Sequence, residues 1–228
     1  MLATDYILRR AKLYKLLPKN SILVIYARNL LKRSPTIPYS FDQFSDFLYL
    51  TGQTQPRGVL TMCTKNNKLE SSLFVPQINR EQQMWSTRTN VGFEQAQKIS
   101  GVDKILPLSE FPAWISDHIT QNSAPNVFSS FPPKQSPKHP FRTISPFIAQ
   151  LKVIKSNKEI ELIKKASAIT MESMTETLKT VKPGIFERQM AARFEYMCVK
   201  RGATGLACPI ECKSGSNALI TQNIENAS

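Results

Sequence analysis

The sequence predicts an α/β layer domain followed by a shorter α+β segment that reads as incomplete. Three observations carry that prediction. Short apolar, β-branched runs alternate with helical periodicities over residues 1–124, the pattern of a mixed sheet covered by helices. Six prolines fall from Ala124 to Pro146, the composition of a linker or surface loop over residues 125–150. Finally, Ser156 stands three residues before Glu159, a capping-box pattern that opens a new helical segment and makes Leu151–Ala166 the hinge of the chain.

The totals exclude several classes. With 228 residues, 41% hydrophobic and 21% charged, the chain is long enough for a real core and unlike a disordered or fibrous one. No apolar run approaches the roughly 18 residues of a membrane span, so none is expected. The net charge of +13 raises nucleic acid, anionic lipid and acidic partners. The basic residues are dispersed, however, and no aromatic-basic motif accompanies them, so a solvated basic surface is expected and nucleic-acid binding is not. The four cysteines, Cys63, Cys198, Cys208 and Cys212, match no zinc-ribbon or CxxC spacing, and His118 and His139 are the two histidines. Buried free thiols are therefore expected rather than a zinc site.

Taken in order, residues 1–19 carry Arg9, Arg10, Lys12, Lys15 and Lys19 against Asp5. They read as a first helix with Ile7, Leu8, Ala11, Leu13, Tyr14 and Leu17 on an apolar stripe, although a matrix-targeting presequence has a similar look. Ser21–Tyr26 is a continuous apolar strand. An aromatic block from Tyr39 to Tyr49 leads to a turn at Thr51-Gly52. Val59–Thr64 and Ser72–Pro76 are strands joined through Asn66-Asn67. Short helices are expected at Arg80–Trp85 and Phe93–Ile99, a strand at Lys104–Leu106, a helix through Trp114, Ile115 and Ile119, and a strand at Asn126–Ser130. Asp42 and Asp46 are better read as capping or ion-pairing groups than as paired catalytic carboxylates.

After the hinge, Ile160, Ile163, Met171, Met174 and Leu178 recur at helical spacing, predicting a helix to Val181 that Lys182-Pro183-Gly184 stops. A second helix runs from Ile185 to about Arg201, with Gly202 at C′. Gly205–Cys212 and Ala218–Ile224 read as strands around a Ser214–Asn217 turn, with Cys208 and Cys212 as a buried pair on one strand face. Two helices and two strands leave an apolar face uncovered. Such a face calls for a second copy of the chain or another protein.

The block PYSFDQFSDFLYLTG, then LFVP, the tryptophan of EQQMW and GVDKILPL resembles the N-terminal domain of aminopeptidase P and prolidase-like enzymes. The hinge LKVIKSNKEIELIKKA resembles the start of that family's pita-bread catalytic domain. Arg193-Phe194-Glu195, Arg201-Gly202-Ala203 and Cys208-Pro209 are similar to its FE…RGA…YP stretch. The opening DYILRRAKLYKLL looks most like the mitochondrial Xaa-Pro aminopeptidase 3 branch.

The resemblance implies a domain at 1–124, a linker at 125–150 and the start of a pita-bread domain at 151–228. It also implies hydrolysis before proline, or removal of one residue from imported proteins, by two manganese ions held by two Asp, one His and two Glu. A mitochondrial address and a dimer follow by analogy, with a cytoplasmic address as the alternative. The chain's last Asp is Asp117 and its last His is His139, so the metal ligands are not expected within it. Gln222 aligns with the family's substrate-positioning histidine and Asn223 with an expected tyrosine. Glutamine donates a hydrogen bond but carries no proton in catalysis. Trp85 is a substrate-site candidate by the same analogy, and packing on its own sheet is the competing reading. Glu195 matches a structural position. Two functions follow: a manganese aminopeptidase that this chain does not complete alone, or a non-catalytic binding subunit.

Overall fold

The computed structural model describes residues 1–35, 37–65, 68–77, 92–121, 126–131 and 141–220. It divides into two compact units, Met1–Ile154 and Lys155–Ser228.

The first unit is built on six strands: β1 (Ser21–Tyr26), β2 (Val59–Lys65), β3 (Lys68–Val75), β4 (Lys104–Pro107), β5 (Asn126–Ser129) and β6 (Phe141–Thr143). Their spatial order is β4-β3-β2-β1-β5-β6. β2 is antiparallel to both neighbours, while β1–β5, β5–β6 and β3–β4 pair parallel. A sheet of this kind must be covered on both faces, and its residues alternate accordingly. Leu23 and Ile25 of β1 join one core with Leu60, Met62, Leu73 and Phe128. Ile22 and Val24 join the other with Val59, Phe74 and Val127.

The first core is covered by α1 (Ala3–Lys15), α2 (Ser45–Thr51), α3 (Phe93–Ser100) and α5 (Ser145–Val153), through Leu13, Phe47, Leu50, Ala96 and Ile148. The second is covered by α4 (Phe111–Gln121), through Phe111, Trp114, Ile115 and Ile119. Trp114 and Phe111 both set their rings edge-on to Phe74, at 5.7 and 5.4 Å.

Two expectations change here, and the aromatic block takes a form that the sequence left open. Residues 125–150 are not simply a linker: β5, β6 and α5 lie within that range and extend the sheet and its cover. Proline content suggested a connector, but Asn126–Ser129 finds a ladder partner in β1 and Phe141–Thr143 finds one in β5. The aromatic block forms α2, because Phe47 and Leu50 are spaced to bury one face of a short helix. The first helix turns a different face inward. Ile7 and Leu8 are 45% and 60% exposed, while Arg9 and Arg10 are buried. Arg10 donates to the carbonyls of Leu50 (2.8 Å), Ser100 (2.8 Å) and Gly101 (2.7 Å), so its cation sits where α2 and α3 both end and their dipoles are negative. Burial lowers the Arg10 pKa to about 10, with Asp103 opposing the shift, and the group stays cationic at neutral pH. Arg9 stacks over Tyr49 at 3.9 Å.

The close fit of these helices requires glycine at their ends. Gly52 has φ +68°, and a Cβ there would lie 2.5 Å from the Tyr6 ring. Gly101 has φ +59°, and a Cβ would lie 2.8 Å from Ile7. Both close αL caps that an L side chain would strain.

The second unit contains α6 (Asn157–Leu178) and α7 (Glu187–Lys200), with a 3-10 turn at Gly215–Leu219. α6 opens with the predicted capping box: the Ser156 hydroxyl accepts from Glu159 N–H at 3.3 Å, and Ser156 N–H donates to the Glu159 carboxylate at 2.8 Å. It ends at Leu178, three residues before Val181. Residues 205–212 form no strand, and 215–219 form the 3-10 turn. A strand is held by its neighbour's backbone, and no sheet partner for these residues stands among the described ones. The end of the second expected strand, 221–224, lies outside the described residues, as do the Arg80–Trp85 helix and the Asn66-Asn67 turn.

Candidate functional site

α6 and α7 meet through small and sulfur-bearing side chains. Ser173 and Thr177 are the buried residues of α6, and Met190, Met197 and Cys198 pack from α7. The α6 positions expected to be core face outward instead: Ile163, Met171, Met174 and Leu178 are exposed. Between the two helices and the irregular stretch 202–212 lies an apolar groove of about 830 Å³, lined among others by Leu162, Ile169, Met174, Phe194, Leu206 and Ile210. Its described carboxylate is Glu211, ion-paired with Lys213 at 2.7 Å. The groove can therefore accept apolar side chains, but it does not bring together an acid and a base.

The polar anchor of this unit is Glu187, in the first turn of α7 and 2% exposed. One carboxylate oxygen accepts from Ser214 N–H at 2.6 Å, Ser214 Oγ–H at 3.0 Å and Asn217 Nδ2–H at 3.1 Å. Charge-assisted bonds of this kind offset the burial of a carboxylate and pin the 214–217 turn to the helix. Sequence reasoning placed the turn but missed its anchor. The usable signal was an acid just after Lys182-Pro183-Gly184, opposite a run of short hydrogen-bond donors. Burial raises the pKa of the nearby Cys212 thiol, and the Glu187 charge raises it further.

The other sequence-predicted residues fall as follows. Trp85 and Gln222 lie outside the described residues, as does Asn223. Asp46 ion-pairs with Lys152 at 2.5 Å, whereas Asp42 is exposed, so the two carboxylates form no pair. Glu195 is exposed on α7. Cys63 and Cys198 are buried, but Cys208 is exposed and Cys212 partly so. The expected buried pair thus does not form, because the strand that would have aligned the two thiols is absent among the described residues. No cluster of three or more His, Cys, Asp or Glu side chains suited to a metal occurs among the described residues. Among the described residues, no helix is long and apolar enough to cross a membrane.

The class that the described residues define is a mixed-sheet α/β domain followed by a helical unit with an open apolar groove. Residues 6–128 match the aminopeptidase P N-terminal domain, and residues 161–228 match metallopeptidase family M24. The chain belongs to the aminopeptidase P family. Among curated relatives, it is 28% identical to the mitochondrial intermediate cleaving peptidase 55 of Arabidopsis thaliana, over 97% of this chain and 46% of that protein. It is also 28% identical to Xaa-Pro aminopeptidase 3 of Homo sapiens, over 97% of this chain and 49% of that protein. Proline aminopeptidase P II of Yersinia pestis shares the fold with a TM-score of 0.86 at 23% identity, over 99% of this chain and 56% of that one. A zinc-substituted E. coli aminopeptidase P does so with a TM-score of 0.87 at 22% identity, again over 99% and 56%. The fold is accordingly the aminopeptidase P N-terminal domain with part of a pita-bread domain. The chain spans about half the length of the curated relatives it matches.

Proposed function

We propose that this chain provides the N-terminal half of an Xaa-Pro aminopeptidase, comprising the sheet domain and the first helices of the catalytic module, without the catalytic centre. The observation that carries this reading is the donor set. The part matched to the metallopeptidase family, 161–228, contains no Asp and no His, whereas a dinuclear manganese site is built from hard oxygen ligands and imidazole. The residues present do not fit two manganese ions, so no catalytic step is assigned to them. In an assembled enzyme the chain's contribution is positional. Glu187 holds the 214–217 turn that precedes Gln222, and the 162–212 groove receives the apolar surface of the polypeptide carrying the metal ligands. Substrates are then peptides with proline second, or imported proteins, by analogy with the relatives. A mitochondrial address and a dimer belong to the same analogy.

The open face favours a second reading, a non-catalytic binding subunit. Ile163, Met171, Leu178, Phe186, Tyr196 and Val199 are each at least half exposed, and apolar surface of this extent marks an interaction site. In that case the groove is filled by a protein without peptidase chemistry.

The test is Xaa-Pro peptide cleavage by purified chain of verified mass, with manganese content measured on the same sample. The expected result is no turnover and no stoichiometric manganese. Turnover with bound metal would sink the proposal. If the inert chain gains activity with a polypeptide corresponding to the relatives' remaining half, the enzymatic reading holds. Association without activity selects the binding subunit.

A further inference from the structure

The carboxyl edge of the sheet carries a second crevice, within the first unit and independent of the metallopeptidase reading. β1 lies between β2, which follows it through α2, and β5, which follows α4. The crevice opens beyond the carboxyl ends of β1 and β5, next to Tyr26 and Phe131, and the carboxyl ends of the strands are where open α/β sheets bind ligands. Here it has a volume of about 830 Å³. Its walls are aromatic. Tyr26 and Phe111 meet edge to face at 6.0 Å, and Phe44 and Phe131 meet at 4.7 Å.

Two cations enter it. The Arg28 guanidinium stacks over Phe44 at 4.6 Å, and its enclosed Nε–H meets no hydrogen-bond acceptor among the described residues. A buried charged N–H without an acceptor is costly, and the ring face beneath it supplies attraction but no lone pair in the guanidinium plane. Beside it, Arg57 N–H donates to the Arg28 carbonyl at 3.0 Å. Arg57 itself holds φ +61°, a left-handed conformation that costs a non-glycine residue energy and concentrates at functional sites. Neither arginine has an ion-pair partner among the described residues.

We infer that this crevice binds a small organic carboxylate with a flat apolar body, the carboxylate accepting from Arg28 and Arg57 and the body lying between Tyr26, Phe111 and Phe131. An apolar ligand without charge leaves Arg28 unpaired, and a simple anion leaves the aromatic walls wet. A guanidinium fork prefers a planar carboxylate to a point acceptor.

The probe is 3-phenylpropionate, titrated into the full chain by backbone-amide NMR, with 3-phenylpropanol and propionate as matched controls. The expected result is saturable binding below about 1 mM, with shifts at Gly58, Val59 and Leu108. Each control should bind at least about tenfold more weakly, and Arg28→Gln should lose about tenfold, the scale of one charge-assisted bond. Arg57→Gln, at an exposed rim position, gives the same readout if Arg28→Gln does not fold. Equal binding of alcohol and acid overturns the inference, as does no saturation or a set of shifts confined to the 162–212 groove.

Discussion

At the scale of single residues, the buried polar groups do the positioning. Arg10 joins α1 to the ends of α2 and α3 by three bonds to carbonyls. Lysine offers a point charge and cannot span them. Arg10→Lys and Arg10→Met are both expected to cost about 3 kcal/mol, because each leaves buried carbonyls unpaired; urea midpoints check this. Burial pushes the Asp103 pKa up, but hydrogen bonds from the Ser71 hydroxyl and N–H outweigh it, and the carboxyl lies below its ordinary 3.8. A depressed carboxyl pKa stabilises the fold above the unfolded value and loses that stabilisation as pH falls through the folded value. Asp103→Asn is thus expected to cost about 1 kcal/mol at pH 7, discounted for exposure and screening. In thermal melts below pH 3.8, the ordinary value, the cost should shrink. At Glu187, Gln substitution removes the negative charge that helps raise the Cys212 pKa, so Cys212 is expected to react faster with iodoacetamide in Glu187→Gln, measured by mass spectrometry at pH 8.

At the scale of elements, local pattern and tertiary demand agree in some places and part in others. The capping box at Ser156 was legible because its two bonds are made within four residues. The strands β1 to β3 were legible because continuous apolar runs admit few alternatives. Other elements were decided at long range. α2 forms because Phe47 and Leu50 find the sheet, and it closes at Gly52 beneath Tyr6. Gly52→Ala is expected to cost about 2 kcal/mol or more, since it adds left-handed strain to a collision with the Tyr6 ring; the midpoint of thermal unfolding reads it. β6 is legible only beside β5, because Phe141–Thr143 has no strand signal of its own amid prolines. The stretch 205–212 shows the converse: a strand pattern without a ladder partner among the described residues stays irregular.

At the scale of the whole molecule, the two units differ in how completely they satisfy themselves. The sheet unit buries a core on each face of its strands. The unit from 155 onward turns the apolar stripe of α6 outward and buries Ser173 and Thr177 instead. Met171→Lys with Leu178→Lys is therefore expected to leave the thermal midpoint within about 0.5 kcal/mol of the parent and to raise solubility. Light scattering should show the same pair abolishing any self-association through this face. Unfolding of the double variant would show that the stripe is core.

The sequence by itself determined the fold class, the order of most strands and helices, the hinge capping box and the family, because these rest on local periodicity, short-range bonds and motif spacing. It also determined that 161–228 holds no Asp and no His, which removes two ligand types from any metal site there. Only the tertiary structure decided which face of each helix is buried. It turned a basic first helix inward on Arg9 and Arg10, drew parts of the proline-rich stretch into the sheet and tied Glu187 to the 214–217 turn. The physical reason is common to all of these. Burial, and the pairing of a buried charge or strand edge, depend on partners distant in the chain, and a local pattern does not specify which partner arrives.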